Sequence, residues 1–504
     1  MMRTGDAQPA GAAAVDGSPA ALHLPDDGLV AVVKRDCPTC QLVEPVLAGL
    51  SRTAGLTVFS QDDPAFPDGV ADRRDDTGLS ASIALDIETV PTLVRFAGGV
   101  QAARVVGWSR PQWAELTGVA DLGGGLPEHR PGCGSRTLDP EVAEELLVRT
   151  RGGSLRSRRL EITALEDEAE ALFDRGFTDG LPVVAPTPAR VLRMLEGTSR
   201  RPDEVVAVVP PTLVEATVEK VAINAVLAGC RPEYLPVVLA AVEAACTDEF
   251  NAHGLLATTW GAGPAIVVNG PVRAGIGMNW AGNALGQGNR ANATIGRALQ
   301  LVIRNVGGGR PQEVDRAALG HPGKVGFCFA EDEEGSPFEP LAQSRGVPAG
   351  RSAVTVFAAE GPRGVVDQIS RRPESLARSL AMGLRGVAHP KLVRGFDATL
   401  VVCPEHARVF AGAGWDRARL AAALDEALLL DRSEITRGAG GIDEGVPAGD
   451  PDRPLPTSLP KFRPGGLMIV HAGGGAGMFS AVIGGWAGGP GGSAPVTREV
   501  DPWR

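Results

Sequence analysis

Aromatic side chains are scarce in this chain. Phe, Trp and Tyr together make up 4% of its 504 residues, with a single tyrosine, Tyr234. That scarcity argues against base-stacking nucleic-acid modules and aromatic sugar platforms. Basic runs are equally thin: Arg156-Ser157-Arg158-Arg159 is too short to track a phosphate backbone, and the formal net charge is −11. Nucleic-acid binding is therefore not expected. No apolar run reaches the ~18 to 20 residues that a membrane-spanning helix needs. The first twenty residues are rich in Ala, Gly and Pro and carry no contiguous apolar signal core. These absences predict a cytoplasmic protein, without membrane contact, whose residues 1–23 form a disordered leader. Cysteine is sparse as well, seven in all, which excludes a disulfide scaffold.

What is present points to a multidomain α/β protein. The length predicts two or three domains. Glycine (66) and proline (40) promise many turns without the level that marks wholesale disorder. Residues 24–118 alternate short β-branched runs with helical stretches in the order β-α-β-α-β-β-α, with strands expected at Gly28 to Lys34, Leu56 to Ser60, Thr92 to Phe96 and Ala103 to Val106. Residues 119–139 are rich in Gly and Pro and read as a flexible hinge that carries Cys133. Residues 140–504 again alternate strands and helices, a larger α/β domain that periodicity leaves as one lobe or two. No internal repeat is visible.

Two cysteines, Cys37 and Cys40, form a Cys-x-x-Cys pair where the first strand ends and a helix opens. There the helix dipole and free backbone N–H groups favour a thiolate on Cys37, and Cys40, one turn on, can resolve a mixed disulfide. Half of a zinc site is the alternative, but no second Cys or His pair lies nearby, and no metal is expected. Residues 24–118 resemble the thioredoxin family. Val90-Pro91-Thr92 is similar to that family's cis-proline loop, and Gly98-Gly99 with Val106-Gly107-Trp108 to its closing hairpin and helix. The resemblance implies that Pro91 faces the dithiol and helps to hold a substrate backbone. Asp-Cys-Pro-Thr-Cys stands where thioredoxins have Trp-Cys-Gly-Pro-Cys, nearer the glutaredoxin style, which leaves the reductant open: an external thiol or a thioredoxin-reductase-type source, with no bound cofactor. Cys133, flanked by glycines, could shuttle electrons from the dithiol to a second site; the alternative is a solvent-exposed linker cysteine.

The larger domain carries the blocks FTDGLPVVAPTPARVLRML from Phe177, NALGQGNRANATIGRALQL from Asn283 and ALGHPGKVGFCFAEDEE from Ala318. Over roughly residues 165–500 it resembles a poorly characterised bacterial α/β family found beside small UGSC (seleno)proteins, which implies a thiol or selenol context. Its own residues offer several places for chemistry. Cys230, with Arg231 adjacent and a helix start at Pro232, is the first candidate nucleophile; the alternative is a small buried filler. Asn279, Asn283, Asn289, Arg290 and Asn292, among glycines before a helix, suggest a site for a small anionic substrate, or else turn and capping asparagines. His253, His321 and His406 are possible general acids or bases. Cys403, with His406 one turn on, ranks below Cys230. Glu331 to Glu334 could ligate Mg²⁺ but reads more simply as a solvated face.

These residues together predict a thiol-dependent oxidoreductase. The Cys-x-x-Cys unit would supply or remove electrons for reductive cleavage or carbon–sulfur bond chemistry on a small anionic substrate in the α/β domain, with a redox partner protein completing the cycle. A redox-independent lyase or hydrolase using His253 or His321, with the dithiol as a regulator, is the alternative. So is a scaffold for a selenoprotein or biosynthetic partner. The composition is compatible with a homodimer without requiring one.

Overall fold

The structure, a computed structural model, describes residues 24–163, 166–449, 456–489 and 491–501. The leader expected over residues 1–23 lies outside them. The chain divides into two compact units between Thr150 and Arg151.

In the first unit, the apolar run of β1 (Gly28–Val33) is the middle strand of a five-stranded sheet. It leads into α1 (Pro38–Thr53), whose apolar side buries Cys40, Val43, Val46, Leu47 and Leu50. There follow β2 (Leu56–Ser60), β3 (Asp72–Asp75), α2 (Ser80–Ala84), β4 (Thr89–Val90), β5 (Thr92–Ala97), β6 (Val100–Val106), β7 (Trp108–Ser109), α3 (Arg110–Thr117), β8 (His129–Arg130) and β9 (Cys133–Gly134). The main sheet runs β3-β2-β1-β5-β6, with β1, β2 and β3 parallel and β5 and β6 antiparallel to their neighbours. This β-α-β arrangement sets the Cys37–Cys40 pair at the carboxyl end of β1.

Residues 119–139, expected as a flexible hinge, are instead folded into this unit. Trp108 Nε1 donates to the Pro127 carbonyl at 2.7 Å, and Gln61 Nε2 donates to Ser135 Oγ at 2.7 Å. β7 pairs with β8, and β4 pairs with β9 in the register Thr89↔Gly134 and Val90↔Cys133. The physical reason lies in the glycines that composition alone reads as slack. A Cβ on Gly132 would lie 2.7 Å from the Val90 carbonyl oxygen, and one on Gly107 would lie 2.9 Å from the Gly132 nitrogen. These glycines permit two backbones to touch, which is a packing role rather than a flexible one.

The second unit contains two four-stranded sheets. The first runs Cys328–Ala330, Gly263–Asn269, Ala353–Ala359, Val496–Glu499; the second runs Leu467–His471, Phe396–Val402, Phe479–Ala487, Pro362–Val366. In both, the first two strands are parallel and the remaining neighbours antiparallel. The sheets share a core of Ala265, Val267, Phe329 and Phe357 with Val401, Met468, Val470 and Ile483. The alternate residues face outward. Ile266, Val268, Val354 and Val356 pack on the helices Val218–Ala228, Leu235–Ala245 and Arg290–Asn305, while Leu400, Val402, Ile469 and Val482 pack on Pro373–Arg385, Pro404–Gly412 and Arg417–Ala427. The layering is helix, sheet, sheet, helix, with a shared core where periodicity left one lobe or two. The two sheets repeat a strand pattern that the sequence does not display. The strand Phe479–Ala487 contains Gly484 and Gly485; a Cβ on Gly485 would meet the Asp397 carbonyl oxygen at 2.7 Å. Among the described residues no helix is long and apolar enough to cross a membrane.

Of the acidic run Glu331 to Glu334, read as a solvated face, only Glu334 is exposed. Glu331 is fully buried, accepting from Asn269 Nδ2 (2.6 Å), the Leu341 N–H (2.6 Å) and Arg417 Nη2 (3.1 Å). Glu333 and Glu334 pair with the buried Arg273. The Asp332 N–H donates to the His471 carbonyl at 2.8 Å, tying the carboxyl ends of the two sheets together. Among the described residues no group of three or more His, Cys, Asp or Glu is arranged to hold a metal ion. Removing one partner from a buried ion pair costs about 3 to 5 kcal/mol. Arg417→Met is expected to lower stability by that order in urea unfolding, and adding Glu331→Gln should recover much of the loss. An unchanged midpoint for the single variant would show that the pair does not hold the sheets.

Candidate functional site

Cys37 caps the amino end of α1. Pro38 presets the backbone at the first helical position, where its missing N–H is not needed, and the Cys40 N–H points at Cys37 Sγ from 3.4 Å. The preceding turn is held by the Arg35 and Asp36 N–H groups, which donate to the Asp62 carboxylate at 2.7 and 2.8 Å. Cys37 Sγ also lies 2.7 Å from Cys133 Sγ and 3.5 Å from the Val90 carbonyl oxygen. Val90–Pro91 is a cis peptide. Thr39 Oγ1 donates to the Pro131 carbonyl at 2.7 Å, pinning the chain just before Cys133.

The three sulfurs differ sharply in electrostatics. A hydrogen bond from the Cys40 side chain, with others from Cys133 and the backbone of Cys40 and Thr39, outweighs burial and holds the Cys37 thiol down to about 5. Burial, then the adjacent Cys37, pushes Cys40 far up. The same two causes raise Cys133. One ionised sulfur therefore sits between two thiols. Cys37 and Cys40 are fully buried and Cys133 half-buried.

No match is found among protein-family models, curated proteins or solved structures.

In the second unit, the order of the cysteines is reversed from expectation. Cys230 is buried, its Sγ against the Thr294 carbonyl oxygen at 3.4 Å, and burial pushes its thiol up to about 12 despite Arg290 and Arg297. Its burial fits the small buried filler better than an activated nucleophile. Cys403 stands at the amino end of the helix Pro404–Gly412 without a side-chain cap bond. Burial works against its thiolate, but hydrogen bonds from the His406 side chain and backbone prevail and hold it below its ordinary value. His406 is fixed by Ser480 Oγ at 2.7 Å and the Asp367 carbonyl at 3.0 Å.

The asparagine-rich loop spends its polar atoms on itself. Asn289 caps the helix Arg290–Asn305, its side chain accepting from the Asn292 N–H, and its Nδ2 donates to the Gly277 carbonyl at 2.8 Å. Asn292 is buried, accepting from the Asn279 N–H and donating to the Asn279 and Ala284 carbonyls. Asn279 and Asn283 donate to the Gly282 and Gln287 carbonyls, and Arg290 to the Gly229 carbonyl. These bonds are the ones that turn and capping asparagines make. Asn283 lines a cavity of about 360 Å³ with Ala472, Gly473 and Phe479.

His253 is exposed on the short helix Ala252–Ala257. His321 lines a cavity of about 260 Å³ with Glu360 and Arg363, walled by Gly261, Gly361, Gly386 and Gly484. Its Nε2–H donates to the Ala359 carbonyl at 3.1 Å, Nδ1 accepts from the Gly323 N–H, and burial lowers its basicity. Glu360, not singled out from sequence, is pushed up by burial, with Arg363 opposing. Gly484 makes room for it, since a Cβ there would run into Glu360 Oε2. In sequence, Glu360 stands three positions before Arg363, just ahead of the strand Pro362–Val366.

The thiol midpoint supplies a direct check. Ultraviolet thiolate absorbance of the reduced protein should rise with pH through a midpoint near 5 that belongs to Cys37. Cys40→Ala should move that midpoint upward more than Cys133→Ala does, because it removes the larger stabilising bond. A midpoint in the ordinary thiol range in the unsubstituted protein would contradict the geometry.

Proposed function

We propose that the protein is a thiol-dependent oxidoreductase whose first unit exchanges electrons through Cys37 and Cys40. One observation carries the reading: an ionisable sulfur at a helix amino end, Cys37, with a thiol within reach on either side. The β-α-β order, the dithiol at the carboxyl end of β1, the antiparallel β5–β6 pair and Pro91 beside the site support the resemblance to the thioredoxin family. In the exchange, the Cys37 thiolate attacks one sulfur of a disulfide, the substrate's own or a mixed one already formed on a neighbouring cysteine, and expels the other as a thiolate. Cys40 then attacks Cys37, closes the Cys37–Cys40 bond and releases the second thiol. Two electrons pass to the substrate, and an external thiol or redox partner protein must return them.

The larger unit, similar in its sequence blocks to the family found beside UGSC (seleno)proteins, would hold the small substrate on which those electrons are used. Cys230 no longer serves as the nucleophile in this reading. A second reading has one observation in its favour: the Glu360 carboxyl, pushed toward its protonated form in a cavity with Arg363, is placed to act as a general acid in a redox-independent lyase or hydrolase.

Equilibration of the full chain in glutathione redox buffers, followed by acid quench, alkylation and peptide mapping, separates the two. The oxidoreductase reading expects Cys37 and Cys40 to lose their thiols together as a bridge, with Cys230 and Cys328 free throughout. If Cys37 joins no other cysteine at any buffer ratio, the dithiol is not a redox centre. Glu360→Gln then becomes the variant to examine.

A further inference from the structure

The first unit contains three sulfurs in contact where a dithiol mechanism needs two, and the outermost is not part of the Cys-x-x-Cys pair. We propose that Cys133 is the thiol that meets external disulfides, and that the strand carrying it fits the site to low-molecular-weight disulfides rather than to those of protein chains. The proposal rests on the thiol-exchange reading above.

Exposure sets the order of encounter. Cys37 and Cys40 are fully buried, while Cys133 is half-buried and lies over Cys37 with the sulfurs 2.7 Å apart. A disulfide arriving from solvent therefore reaches Cys133 before Cys37. On one side of Cys133 the packing is tight, as the Gly132 approach to Val90 requires; on the other, a Cβ on Gly134 would meet nothing within 4 Å. Small reagents have room on the Gly134 side.

Backbone pairing sets the size limit. An extended peptide docks on a sheet by adding a strand to a free edge. Beside Cys37 that edge is β4, and β9 already occupies it through Thr89↔Gly134 and Val90↔Cys133. The Ser135 N–H donates to the Glu88 carbonyl at 2.9 Å, and Thr39 Oγ1 holds the Pro131 carbonyl, so the segment is tied down on both sides of its cysteine. A protein disulfide would have to displace this segment; a small one would not.

The steps balance. As Cys133 sulfur attacks RS–SR, its proton passes to the Cys37 thiolate, a Cys133–SR bond forms, and RS⁻ leaves and takes up that proton from Cys37 as RSH. The restored Cys37 thiolate attacks Cys133 sulfur, breaking the mixed disulfide, expelling the second RS⁻ and forming a Cys37–Cys133 bond. Cys40 passes its proton to the departing Cys133 sulfur as it attacks Cys37. The products are a Cys37–Cys40 disulfide, Cys133 as the thiol, one RSH and one RS⁻. Two electrons have moved to RS–SR.

The test uses the reduced full chain with bis(2-hydroxyethyl) disulfide as the small probe and insulin as the protein disulfide, stopped in acid and mapped. Cys37→Ser, which lacks the proton acceptor but also the thiol that would clear the adduct, should accumulate the probe on Cys133 more slowly than the parent is oxidised, and Cys40→Ser should accumulate a Cys37–Cys133 bridge. Cys133→Ser should slow oxidation by the probe by an order of magnitude or more. The unsubstituted protein should react with the probe far faster than with insulin, and Gly132→Val, which pushes β9 off β4, should narrow that gap. Cys133 remaining unmodified in Cys37→Ser, or Cys133→Ser being oxidised as fast as the parent, would overturn its role. Insulin reacting as fast as the probe would overturn the size limit. Failure of the parent protein to form a Cys37–Cys40 bridge even in glutathione buffer would instead remove the thiol-exchange reading itself.

Discussion

The first unit depends on a two-residue ladder, Val90 against Cys133 and Thr89 against Gly134. It closes the edge of β4, brings a third sulfur onto Cys37, and turns a glycine-rich run into part of the fold. The ladder exists because Gly107 and Gly132 carry no Cβ at the crossing. Its consequence is electrostatic as well as steric. Cys37 loses contact with water, which opposes its ionisation, yet the bonds from Cys40, Cys133 and the helix backbone more than compensate. A buried thiolate is tolerable only where its neighbours donate to it.

Burial decides the ranking of the remaining cysteines. Cys230 stands near two arginines, but desolvation outweighs their attraction. Cys403 is also buried, yet it has a directed partner in His406, which Ser480 and Asp367 hold in place. A nearby positive charge is a weak substitute for a hydrogen bond in a dry interior. The same principle explains the acidic run: Glu331 is accommodated between the sheets because Asn269, Leu341 and Arg417 all donate to it.

The two sheets of the larger unit share one core, and each is covered by helices on its outer face. Their common strand pattern has no counterpart in repeated sequence. The same arrangement can be packed with different apolar side chains, so topology can recur where residue identity does not. The Glu360 cavity lies beside Gly484, within a strand whose glycines hide its β character from a pattern search.

Local features were legible from the sequence alone. The α/β alternation, the strand preceding Cys37, the helix opening at Pro38 and the position of the dithiol all follow from short-range periodicity and capping, which act within a few residues. Asn289 as a cap belongs to the same class. The tertiary structure decided what depends on distant segments. It placed Cys133 on Cys37 across 96 positions of chain, buried Cys230, matched Cys403 with His406 and Ser480, and set Glu360 in a cavity. Composition could not distinguish a glycine that loosens the chain from one that lets two backbones meet. That difference is set by what lies opposite each glycine, and only the folded chain brings the two together.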